Sequence, residues 1–106
     1  MMVAAVPAIA MSQKTPVMDK ATDDLKAYLW KKGMSVAPTD MYLAATYALK
    51  AEVCGKPLND EMLKFHLRTA AIEAPASVIE TWYLVMKQKM KVALTANPEE
   101  AVVFCK

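Results

Sequence analysis

Apolar side chains between positions 16 and 97 recur at three- and four-residue steps, the period of amphipathic helices rather than of strands. Four segments carry this pattern. The first is predicted from Pro16 to Lys32, with Met18, Ala21, Leu25, Tyr28 and Leu29 on one face. Thr15 stands at the N-cap position, and Pro16 suits the first helical residue. Asp19 complements the positive end of the helix dipole, while Lys31, Lys32 and Gly33 close the other end. The second helix is predicted from Asp40 to Cys54, capped by Thr39 or Asp40, with Met41, Ala45, Ala48, Leu49 and Val53 as its buried stripe. Gly55 ends it and Pro57 prevents continuation.

The third segment starts at the cap Asn59, with Asp60 and Glu61 in its first turn and Leu58 placed to staple onto Leu63. It should end near Ala74, because Pro75 disfavours helical geometry in the preceding residue. In the fourth, Ser77 and Glu80 have capping-box spacing, and Ile79, Trp82, Met86, Met90 and Ala93 face the core with Val78 and Val85 beside them. That pattern stops near Asn97-Pro98. Residues Glu99 to Phe104 favour a further short helix, although Val102-Val103-Phe104 would serve equally as a strand. The links are short, so neighbouring helices should run antiparallel or cross steeply. The expected fold is all-α: a compact bundle of about four short helices over 15–97, an apolar arm over 1–14, and a short helix or extended tail over 98–106.

Composition agrees. A chain of 106 residues forms one core, and 56% apolar content with only two glycines disfavours both disorder and a turn-rich all-β fold. The nine methionines fit a core filled by flexible side chains, and Met18, Met41, Met62, Met86 and Met90 fall at core spacing. The run MMVAAVPAIAM is too short to span a bilayer and lacks the basic residues that precede a secretory leader. Cys54 and Cys105 lack close motif spacing and are expected as two free, buried thiols in a reducing compartment, so the protein is expected to be intracellular.

Candidate chemistry is sparse. His66, the only histidine, falls on the apolar face of the third helix and is expected as a neutral core residue bonded to a carbonyl. Neither Cys nor an acidic residue accompanies it at helical metal-site spacing, and a thiolate–imidazole pair with either cysteine is the less favoured alternative. Neither a catalytic role, a metal, a cofactor nor a small-molecule substrate is expected. Net charge of +2 points to no polyanionic partner, and Lys87, Lys89 and Lys91 are expected on a solvated face. The tight turn at Gly55 invites a helix-turn-helix reading. However, Glu61 and Lys64 stand where that motif needs apolar residues, and Asp60 and Glu61 would repel phosphates.

Surplus apolar residues remain. The third helix has a wide apolar arc, expected to mark it as the central helix of the bundle, with a partner-binding edge at Phe65 and Ile72 as the alternative. Trp30 and Tyr47 point away from their helices' core stripes, and aromatic residues are common interface anchors. Together with Val3, Val6 and Ile9 of the arm and Val102 and Phe104 of the tail, these residues predict a protein–protein interaction surface. The expected function is a non-catalytic accessory subunit of a larger assembly, with a reversible inhibitor or adaptor of an enzyme or polymerase as the alternative.

Overall fold

The computed structural model describes residues 15–106. The chain there forms five helices, α1 (Pro16–Lys31), α2 (Ala37–Cys54), α3 (Asp60–Ala70), α4 (Ala76–Ala96) and α5 (Pro98–Cys105), with no strand among the described residues. The tail is therefore helical. Residues 1–14, which include Val3, Val6 and Ile9, lie outside the described residues.

Several local signals act as their chemistry requires. The Thr15 side chain accepts from the Met18 N–H at 3.3 Å, and that of Asn59 accepts from the Met62 N–H at 3.2 Å. Gly33 and Gly55 take left-handed backbone angles, φ 91° and 69°, where a side chain would be strained. Two other helix starts differ from expectation. Helix α4 begins at Ala76, and the Pro75 carbonyl accepts from Val78 and Ile79, so no capping box forms. Ser77 instead lies within the first turn, its carbonyl accepting from the Thr81 hydroxyl at 3.0 Å. Helix α2 begins at Ala37, three residues before Asp40, with no cap from its own segment.

The central element is α2, not α3. It buries residues around most of its circumference, including Ala37, Met41, Tyr42, Ala44, Ala45, Thr46, Ala48 and Leu49. Its alanines permit close approach, and α1, α3, α4 and α5 all pack on it. Helix α3 fully buries only Ala70 and stops there, because residues 71–74 turn away from the helix axis. It packs mainly on α2 and to a lesser extent on α4, and the rest of its wide apolar arc, at Phe65, extends to solvent.

Two core faces are rotated from their predicted positions. In α1, Thr22 is buried and Tyr28 is exposed, its ring packed on Trp82 with centroids 5.5 Å apart. Thr22 tolerates burial because its hydroxyl donates back to the Met18 carbonyl at 3.0 Å and lies 3.2 Å from that of Asp19. In α4 the buried line is Ile79, Tyr83, Met86, Met90 and Leu94, leaving Trp82 and Ala93 half-buried. Lys87 and Lys91 are not simply solvated: both donate to the Glu52 carboxylate, at 2.7 and 3.0 Å, joining α4 to α2. Those bonds, that of Lys87 first, hold the Glu52 carboxyl below the usual carboxylate range.

The cysteines are not free. Cys54 and Cys105 form a disulfide between the ends of α2 and α5. The expectation failed because a spacing of 51 residues looks unrelated in sequence, whereas docking α5 on α2 brings the two Cα atoms to 5.5 Å. Cysteine usage therefore no longer favours a reducing compartment. No helix among the described residues is long and apolar enough to cross a membrane.

Candidate functional site

The start of α2 is held by a residue far away in sequence. Glu73, in the turn between α3 and α4, accepts from the backbone N–H of Ala37 at 2.5 Å, Val36 at 2.8 Å and Ser35 at 3.0 Å, and from the Ser35 hydroxyl at 3.2 Å. A helix N-terminus presents unpaired N–H groups and partial positive charge, so a carboxylate supplies both acceptor and counter-charge. These bonds, that of Ala37 first, hold the Glu73 carboxyl below the usual carboxylate range. A depressed folded pKa means the stabilisation is fully present above the unfolded value and is lost as pH falls through the folded one. Glu73→Gln should therefore melt below the parent protein at neutral pH. The gap should close on acidification, as thermal melts across the acid range would show. A constant gap would assign the effect to shape rather than charge.

The clamp has a second consequence. It joins the 33–36 loop to the 71–74 turn, so Val36 and Ile72 project from adjoining segments at one end of the molecule. Ile72 is 82% exposed and Val36 46%. Trp30, 70% exposed, stands on the last turn of α1, whose carbonyls accept from Gly33 and Met34 in the same loop. Phe65, 49% exposed, lies one helical turn before Thr69 on the outer edge of α3, leading toward Ile72. Sequence reasoning missed Val36, since a valine in a short loop has no periodic neighbours to mark it. It also missed exposed Leu84 and Val92 on the outer face of α4.

The remaining predicted contact residues separate. Tyr47 is half-buried and stacks on the His66 ring, with centroids 5.9 Å apart and planes 20° from parallel. Phe65 meets the same imidazole edge-on at 5.2 Å. Val102 is exposed on α5, whereas Phe104 is completely buried in the core and presents nothing to a partner. Helical rather than extended geometry produces this split, placing residues two apart on different faces.

Among the described residues His66 bonds a carboxylate rather than a carbonyl. Its Nδ1–H donates to the Asp40 Oδ1 at 2.9 Å, and both side chains are nearly buried. Asp40 is available for this because Glu73 caps the helix that Asp40 was expected to cap. With both cysteines in the disulfide, no thiolate–imidazole pair exists. The Asp–His pair instead fastens α2 to α3 beneath the Tyr47 and Phe65 rings. His66→Ala should cost about 2 kcal/mol by leaving a nearly buried carboxylate without its partner, measured by urea denaturation. A loss restored in the double variant with Asp40→Asn would identify the unpaired charge as its source.

The polar interior is otherwise satisfied. The buried Tyr42 hydroxyl donates to Asp19 Oδ1 at 2.8 Å, and burial followed by that contact pushes the phenol far above its ordinary pKa. Among the described residues no buried side-chain nitrogen or oxygen lacks a partner, and no group of three or more His, Cys, Asp or Glu side chains could hold a metal. Four open clefts among the described residues are lined by neither Asp40 nor His66. No protein-family model, curated protein or solved structure matches the chain, so any functional reading rests on its own residues.

Proposed function

We propose that this chain is a non-catalytic interaction protein, most simply an accessory subunit of a larger assembly, which docks through the apolar end around Trp30, Val36 and Ile72. One observation carries the reading. Three large apolar side chains are exposed around a loop and turn that the Glu73 carboxylate locks together. Flexible loops lose entropy when they bind, so a clamped apolar end reaches the bound state at lower cost. Tryptophan is a frequent interface anchor because a large rigid ring is buried with few torsions frozen. Phe65 extends this surface along α3, and other protein chains are the expected partners.

The experiment is affinity purification from the native source with the parent chain and the variant Trp30→Ala/Ile72→Asp. Both substitutions lie on the surface and should leave the stability nearly unchanged, by about 0.5 kcal/mol or less each. The reading expects a stoichiometric partner that the parent retains and the variant loses, while Lys89→Glu on another face keeps it. A parent chain that is monomeric and retains the same proteins as the variant would refute it.

A further inference from the structure

Helix α5 has eight residues, too few to persist without tertiary support. Its visible fastenings are concentrated at its far end. Phe104 is fully buried, the Lys50 ammonium donates to the Phe104 carbonyl and lies 4.6 Å from the centre of its ring, and Cys105 is bonded to Cys54. Its outer face is open, where Glu99, Glu100 and Val103 line a cleft of about 230 Å³ against Thr15 and Pro16. At its start Ala101 packs against the core and the Asn97 side chain donates to the Ala93 carbonyl at 2.8 Å. The disulfide is the covalent latch at its tip.

The latch is accessible. Both cysteines are only half-buried and line an open cleft of about 400 Å³ with Val53, Ala101, Val102 and Lys106. An attacking thiolate can approach a sulfur from this side. We propose that Cys54–Cys105 is a thiol-exchange site, and that its reduction by a dithiol releases α5 from the ends of α2 and α4. One thiolate of the reagent attacks one sulfur. The protein S–S bond breaks, a mixed disulfide forms, and the other cysteine leaves as a thiolate that takes a proton from water. The second thiol of the reagent, after losing its proton, displaces the remaining protein sulfur, which is protonated in turn. Two electrons pass to the protein, giving two cysteine thiols and the oxidised cyclic disulfide of the reagent.

Release withdraws Phe104 from its socket and exposes apolar surface at the ends of α2 and α4. Hydrogen-exchange mass spectrometry of the full chain, oxidised and after treatment with dithiothreitol in native buffer, tests the idea. Titration of free thiols reports whether exchange has occurred. After reduction the α5 amides should exchange on the order of tenfold faster or more than the α2 and α4 amides around Leu49 and Met86, whose protection falls only by the loss of global stability. The variant Cys54→Ser/Cys105→Ser should reproduce the reduced pattern without reagent. Three results would each overturn the proposal: a disulfide that opens only in denaturant, α5 amides still protected once both thiols are free, or protection lost evenly through all five helices.

Discussion

Replacing Cys54 and Cys105 by serine should lower the stability of the folded chain by about 4 kcal/mol, the entropy regained by a denatured chain no longer closed over 51 residues. For a domain of this size that corresponds to a fall in melting temperature on the order of 20 °C. Net stabilities of about 5–15 kcal/mol leave room for a folded but weakened protein, so the four longer helices should still assemble at low temperature. Urea denaturation of the oxidised parent and the double-serine variant measures the difference. A loss below about 1 kcal/mol would mean that the denatured chain is already compact enough for the crosslink to restrict little.

The second large effect is expected at Phe104. It lies in a nine-residue tail that could have been read as surface, yet its ring is completely buried. Phe104→Ala should cost about 3–5 kcal/mol through lost burial and the cavity left behind. Val102→Ala, two residues earlier on the exposed side of α5, should change stability by about 0.5 kcal/mol or less. Chemical denaturation of both variants with the disulfide intact would separate them. Similar effects at the two positions would mean that α5 does not dock through Phe104. The Phe104 and cysteine substitutions should not add, because each weakens the same attachment of α5.

Much of the helical framework was legible because its signals are local. Thr15 to Met18 and Asn59 to Met62 are caps spanning three residues, and glycines with left-handed backbones follow α1 and α2. Such signals depend on the geometry of one turn and survive whatever the helix packs against. The centre of the bundle was harder to read. Helix α2 is rich in alanine and buried around most of its surface, so it has only a weak apolar stripe. Helix α3 has a pronounced stripe because it lies on the surface. Arc width on α3 was therefore read as centrality when part of that arc meets solvent.

The candidate surface was partly legible. Trp30 was marked by falling outside its helix's core stripe, Phe65 and Ile72 by widening the apolar arc of α3, and all three are exposed. Tyr47 was marked by the same reasoning, but it is engaged with His66. Distance from a helix's own stripe shows only that a residue avoids the main core, since a neighbouring helix can still cover it.

The sequence by itself determined the all-α class, the approximate helix boundaries, the local caps at Thr15 and Asn59, and some of the exposed apolar residues, Trp30, Phe65, Ile72 and Val102. Only the tertiary structure decided that α2 is central, that Glu73 caps it across 36 residues, that Asp40 serves His66, and that Cys54 meets Cys105. Caps within one turn follow from backbone geometry alone. Partners separated by 26 to 51 residues meet only after hydrophobic docking has oriented whole helices, and no local pattern records that orientation.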